Sequence, residues 1–319
     1  MQAAGGNSSR SGCMMAIPGS SVPKEQGIDD SPAKLAADMK RIGLGLGDPE
    51  HIKVVTEHAA PTFEWTKKQG VVWRTDLTGK GGHSARRCLI TEEGTGQGIL
   101  IPFMKKLKEL GVPVFSGMKV IRLDMNKDGR VIGVTALEDY KFGKEDSGKP
   151  VEIKAKDGVI LAFGGFSADV GYRTRLDPKL TGNLKTTNQP GATAELMREA
   201  SRIGANFIQA DWIQFLPNTS PDEDGMGMGS HFASVGGSLY GLWIYTKTGK
   251  RFTDECGERK TTTDAIFKVL DAGGKTISVT DSVGVASFNK VRPGAMDILR
   301  KNGAVKEYAT LDDLAKAYG

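Results

Sequence analysis

The sequence predicts an α/β fold, and three observations carry that expectation. Residues 120–163 contain successive apolar or alternating runs separated by short polar turns. Amphipathic helical patterns with recognisable caps flank those runs. Beyond about Asp211 the pattern changes to a glycine-rich stretch, a short strand and several helices, as in a second, α+β region.

In chain order, Ser31 is placed as an N-cap before Pro32, with Leu35, Met39 and Ile42 on one helical face. Gly43-Leu44-Gly45-Leu46-Gly47 then ends that helix as a C-cap and linker. Asp48-Pro49 starts a second helix carrying Ile52, Val55 and Phe63, bent near Pro61 and packed on the sheet. Cys88 to Thr91 reads as a short strand, and Gly94-Thr95-Gly96-Gln97-Gly98 opens a helix over 99–110. Val120 to Met125, the turn 126–129, Val131 to Leu137, Val151 to Ala155 and a buried strand Val159 to Phe163 form a β-meander. The last of these stops at Gly164-Gly165, where backbone can approach a ligand closely. A glycine turn at 190–191 opens an amphipathic helix bearing Leu196, Ala200 and Ile203. Later come a flexible glycine-rich stretch (225–241), a strand Leu242 to Tyr245, and helices at 261–270, 293–301 and 311–318, the last capped by Thr310.

Composition narrows the function classes. The net charge is +5 from 43 basic and 38 acidic groups, which gives no footprint for nucleic acid. No apolar run approaches the roughly 20 residues of a membrane span, and the first residues carry neither a basic nor an apolar leader region. The pattern fits a soluble protein, cytoplasmic or exported. Three widely spaced cysteines, without CxxC or CxxCH, exclude a disulfide framework, a zinc site of that kind and an attached c-type haem. No metal site is expected.

The run Thr248-Gly-Lys-Arg-Phe-Thr-Asp-Glu-Cys-Gly-Glu-Arg259 concentrates cations that suit a small carboxylate, because a guanidinium fork matches a carboxylate oxygen pair. On spacing alone, Arg251 and Arg259 would instead pair with Asp254, Glu255 and Glu258. Their company changes the weighting. Gly5 to Met15 (GGNSSRSGCMM) is a small-residue loop whose amides and hydroxyls suit a phosphate or a flavin ring edge. With ILAFGGF (160–166), PGAT (190–193), DWIQ…SPDE (211–223) and GKRF..E…R (249–259), this order of motifs resembles the flavoprotein family of fumarate reductases, succinate dehydrogenases and urocanate reductases. Residues 5–319 share the resemblance, and the urocanate reductase branch is the nearest in pattern.

The resemblance implies a partial FAD-binding domain over 1–210, three-layered and Rossmann-like with a β-meander. It also implies an α+β capping domain over 211–319, cut short at its C-terminal end. The strand–GxGxxG–helix unit that would precede the GGNS loop is not found in Met1 to Gly12, so an internal fragment is expected. The implied reaction is reduction of the activated C=C bond of an α,β-unsaturated carboxylate, urocanate-like or fumarate, by hydride from FAD N5. Arg259 matches the family's proton donor, while Arg251 is expected to pair with Glu255 or hold its turn.

Noncovalent FAD would be met by Gly6, Asn7, Ser8, Ser11, Gly12, Cys13, Val120, Ala162, Gly164, Gly165 and Glu195, the last standing where the family has an aspartate. Fumarate and succinate enzymes carry a substrate histidine in Gln-x-His-Pro-Thr, and the matching position here is Leu216, which departs from a dicarboxylate site. Substrate contacts are expected from Asp222, His231 and Tyr240. His51 and His58 take no role, and His83 is expected to make a structural hydrogen bond. The implied partners are the small unsaturated carboxylate and an electron donor, a haem or flavin module. The alternative is a truncated or split flavoprotein piece without activity by itself. Ketosteroid-type dehydrogenation would demand a catalytic tyrosine pattern that is not found near Tyr240 or Tyr245.

Overall fold

The structure, a computed structural model, describes residues 4–79, 81–219, 223 and 227–319. The chain divides into two compact units, one of Met1–Ser11 with Leu100–Ile213 and the other of Gly12–Ile99 with Gln214–Gly319.

In the first unit a three-stranded antiparallel meander joins Lys119–Met125, Val131–Glu138 and Lys149–Lys154 in that order. The expected turn forms because the Asn126 side chain accepts from the Asp128 and Arg130 amides while Gly129 takes a positive φ of 78°. Leu123 and Ala136 are buried on adjacent strands. The helix Glu195–Arg202 is tied to this sheet: Glu199 accepts from the Leu123 amide at 2.7 Å and Arg202 donates to the Leu123 carbonyl. The register shifts at Val120/Arg122 and Asp124/Met125 bracket this contact. The helix buries Met197 beside the expected Ala200, leaving Leu196 half-buried.

Val159 to Phe163, expected as a buried strand, has no strand partner among the described residues, and Ile160 is 94 % exposed. Arg130 explains the departure. The ladder runs on to the Ala155 amide, which donates to the Ile132 carbonyl, and the Arg130 guanidinium then holds the carbonyls of Lys156 and Asp157 where the chain leaves the sheet. Residues 158–165 then run on without a backbone hydrogen bond to any described residue.

In the second unit, Ser31 caps Pro32–Ile42 by accepting from the Lys34 amide, and Asp48 caps Pro49–Lys68 in the same way at His51. Phe63 packs with Ile17, Leu77 and Leu89, the core around a two-stranded ribbon of Met14–Ala16 and Cys88–Ile90. The expected loop at 5–15 therefore contains a helix, Gly6–Arg10, and a strand. A second sheet orders Lys250–Arg251, Gly241–Tyr245 and Thr276–Thr280. A second core joins Phe232, Phe288, Ala295, Met296 and Leu299.

The stretch expected to be flexible contains the helix Gly229–Phe232 and a π-helical turn Ala233–Gly237. Small residues permit it: a β-carbon on Gly237 would collide with Ser278 Oγ, and one on Gly284 with Thr280 Oγ1, so glycine lets these segments close up. Strand 276–280 and the helix Ser282–Val291 were not expected from the sequence. Among the described residues no helix is long and apolar enough to cross a membrane.

Candidate active site

Arg259 opens the helix Arg259–Asp271 directly after its N-cap, Glu258, whose carboxylate accepts from the Lys260 and Thr261 amides at 2.7 Å. Burial would raise the Glu258 pKa, but the Thr261 and Lys260 donors outweigh it and hold the acid below its usual range. Neighbouring cations are neutralised. Arg251 clasps Glu255 with Nη2 at 2.6 Å, and Lys260 meets Asp264 at 2.6 Å. Glu255 is buried and also accepts from the Trp243 amide at 2.7 Å. Its burial would raise its pKa, and these donors bring it below the ordinary value instead.

Arg259 is different. Among the described residues no ion pair or hydrogen bond engages its guanidinium and the residue is exposed, while its carbonyl accepts from the Thr262 hydroxyl at 3.0 Å. Loss of water around its guanidinium lowers its pKa, and no acid among the described residues pairs with it to restore it. An unneutralised guanidinium beside a capped helix start is equipped to take an anion.

His231 is half-buried on Gly229–Phe232, the helix that carries Phe232 into contact with Phe288 at 5.3 Å between ring centroids. Tyr240 is 48 % exposed, and its carbonyl accepts from Thr280 Oγ1. Asp222 lies outside the described residues. Leu216 is half-buried, next to Phe215, whose ring stands edge-on to Phe267 of the Arg259 helix at 5.3 Å between centroids.

A buried ionic cluster in the same unit escaped the sequence reading. Arg87, fully buried, donates to both Asp30 oxygens and to Asp38 Oδ2 at 2.5 Å. Asp38 also accepts from the Ser84 amide and hydroxyl, both at 2.9 Å, and from Arg41. Arg41 in turn donates to the Gly82 carbonyl, and the Gly81 amide donates to the Cys256 carbonyl. The loop 81–84 is thus held between the cluster and the segment that leads to Arg259. His83 makes the structural contact expected of it, with Nδ1 3.1 Å from Arg87 Nη1. Burial, then the Arg87 charge, lower its pKa. The available sequence signal was Asp38, a carboxylate on the same helical face as Leu35 and Ile42.

In the first unit the Gly6, Asn7 and Ser8 amides open the helix Gly6–Arg10 and donate to no described residue. Gly5 has a φ of 126°, and a β-carbon there would stand 2.7 Å from Leu100 Cδ1, so this start requires glycine. The Asn7 side chain bridges Asn188 Oδ1 and the Gln189 amide, fastening the helix to the PGAT turn. Ser11 donates to the Ser8 carbonyl. Val120 is half-buried on the first meander strand.

The extended run 158–165 adds unpaired backbone groups, exposed Ile160, Leu161 and Ala162, and open space above Gly164 and Gly165. Free amides beside a bare apolar run fit a cofactor with ring faces and polar edges. Glu195 is met by Lys119 Nζ at 3.3 Å, so its carboxylate already has a cation partner. In the second unit Gly12 is exposed and Cys13 is half-buried at a φ of 50°. Burial raises the Cys13 thiol pKa against hydrogen bonds from Thr91. Among the described residues no His, Cys, Asp and Glu group is placed to hold a metal.

Comparison with known proteins shows the family. The chain is 35 % identical over 316 residues to the acrylate reductase flavoprotein subunit of Shewanella woodyi, covering 98 % of this chain and 62 % of that one. It is 30 % identical over 317 residues to the urocanate reductase of Eggerthella lenta, covering 99 % and 50 % respectively. The chain thus spans half to under two thirds of the length of these relatives. An E. coli quinol fumarate reductase structure superposes with a TM-score of 0.73 at 18 % identity, covering 93 % of this chain and 51 % of that one, and shares its mixed α/β fold. The model of the FAD binding domain matches residues 1–298, so the chain belongs to the FAD binding domain family, and its cofactor is FAD.

Proposed function

We propose that the chain is the flavin- and substrate-holding part of a reductase acting on the C=C bond of an α,β-unsaturated carboxylate. The observation that carries this reading is Arg259, whose guanidinium has no anionic partner among the described residues, where Arg251 and Lys260 each have one. The names of the acrylate and urocanate reductase relatives support the substrate class.

When bound in its reduced form, FAD supplies the hydride. Arg259 takes the substrate carboxylate region and donates the proton to the α carbon, a role that its lowered pKa favours. Gly6, Asn7 and Ser8 offer amides to the cofactor, Ser11, Gly12, Cys13 and Val120 stand beside that path, and Ala162, Gly164 and Gly165 line it; the binding is noncovalent. Glu195 takes part only by giving up Lys119. His231, Tyr240 and Asp222 are proposed substrate contacts.

Residues 1–210 are proposed as the cofactor domain and 211–319 as the cap. The division between the compact units after Ile213 supports that boundary, whereas 12–99 group with the later segment. The subunit named in the acrylate reductase relative favours a separate electron donor.

Leu216 places an apolar side chain where a dicarboxylate enzyme needs a polar one, which favours acrylate or an aryl acrylate over fumarate. With reduced dye as donor, FAD-loaded protein should reduce acrylate and urocanate with a higher kcat/KM than fumarate. Leu216→His should shift the acrylate-to-fumarate ratio toward fumarate by about tenfold. Fumarate as the preferred substrate of the unaltered protein would overturn the assignment of substrate class.

A further inference from the structure

Gly94, on the loop between strand Cys88–Ile90 and helix Gln97–Glu109, has a φ of 78° and is buried. Two arginines from distant parts of the same unit converge on it. A β-carbon built there would stand 3.1 Å from Arg74 Nη2 and 3.2 Å from Arg292 Nη1, so both guanidinium groups come close to one point. Each is anchored by one hydrogen bond to a loop carbonyl: Arg74 to Glu92 at 3.3 Å and Arg292 to Gly94 at 2.7 Å. Among the described residues neither has an ion pair, and Arg292 Nε is buried without any acceptor.

Like charges brought together repel, and a buried donor without an acceptor costs about 1–3 kcal/mol. Protein groups do not resolve either penalty. Glu93 is the nearby acid, and its field acts on Arg292, but its carboxylate is committed to the Thr95 amide at 2.8 Å and to the Thr95 hydroxyl. Desolvation, followed by the Arg74 charge, lowers the Arg292 pKa against the pull of Glu93. One bound oxyanion would neutralise the repulsion, accept from Arg292 Nε and bridge both forks.

We propose that Arg74 and Arg292, both close to Gly94, form a binding site for a small oxyanion, separate from Arg259. The absence of a side chain at 94 keeps the gap between them open. Carboxylate and phosphate share the required chemistry. The charges of Arg74, Arg292 and Glu93 leave the site cationic, and Glu93 sets how strongly it binds.

Arginine modification tests this on the unaltered protein. FAD-loaded protein is treated with phenylglyoxal, and the modified residues are mapped by peptide mass spectrometry. The reaction is run in chloride, sodium phosphate or sodium propionate at equal ionic strength. The expected result is modification of Arg74 and Arg292 in chloride and their joint, saturable protection by one of the oxyanions. Protection by phosphate alone or by propionate alone identifies the ligand class.

Arg74→Gln should abolish saturable protection at Arg292, and Glu93→Gln should tighten it several-fold. Protection should persist in Arg259→Gln, which separates failure of this site from failure of the proposed catalytic site. Absence of saturable protection by either oxyanion, or protection of Arg292 that survives Arg74→Gln, would overturn the proposal.

Discussion

Replacing Arg259 with glutamine is expected to reduce enoate turnover by about 10²–10⁴-fold, the range for removing a positioned general acid. The fold should tolerate the change, because among the described residues the Arg259 guanidinium makes no ion pair or hydrogen bond that the substitution would break. FAD content and Tm should therefore stay close to those of the unaltered protein while kcat falls. Arg259→Lys keeps the cation but loses the planar fork, so it should recover only part of the activity. By contrast, Arg251→Gln removes the clasp on buried Glu255 and should lower Tm before it affects chemistry. Steady-state kinetics and thermal melting on the three variants separate these roles. Equal activity losses with equal losses of Tm would show that Arg259 is structural.

Asp38→Asn should carry the largest cost in stability. Arg87 is fully buried between Asp30 and Asp38, and removing one partner of a buried pair costs about 3–5 kcal/mol. Burial by itself would raise the Asp38 pKa, but donors from Arg87, Ser84 and Arg41 hold it well below the usual carboxylate range. A group whose folded pKa is depressed stabilises the fold fully above its unfolded value, near 3.8 here. That contribution is lost as the pH falls from there through the folded value. Denaturant titrations at steps from about pH 6 down to about pH 2 should show the unaltered protein losing stability below the unfolded value, and Asp38→Asn showing a shallower loss from a lower plateau. Loop 81–84 should loosen as well, since Asp38 holds both the amide and the hydroxyl of Ser84. Faster amide exchange at Ser84 would report it.

Local rules wrote much of this fold legibly. Ser31, Asp48 and Thr310 each cap the helix assigned to them, because a short oxygen side chain before an apolar periodic run satisfies the free amides of the first turn. The meander was readable from strand periodicity and the Asn126–Gly129 turn. Strand 276–280 and helix 282–291 were harder, since Gly284 and the Thr- and Ser-rich strand carry weak apolar periodicity and gain their definition from packing against Gly236, Gly237 and Phe232.

The same contrast runs through the site. Arg259 was marked out by its motif, yet spacing could not tell it from Arg251, and acids lay within reach of both. Folding decided the matter by turning Glu255 onto Arg251 and committing Glu258 to the helix cap. Val159 to Phe163 had the composition of a buried strand, but composition does not supply a neighbouring edge, and Arg130 holds the Lys156 and Asp157 carbonyls where the chain leaves the sheet.

By itself, then, the sequence determined the helices with caps and the meander, because each depends on residues near one another in the chain, and the order of its motifs gave the cofactor class. Only the tertiary structure decided which charges are neutralised. Arg87 found Asp30 and Asp38, Arg251 found Glu255, Arg259 has no acid partner among the described residues, and Arg74 and Arg292 met at Gly94. Charge pairing depends on distances of a few ångströms between groups that are often far apart in sequence, and those distances exist only once the chain has folded.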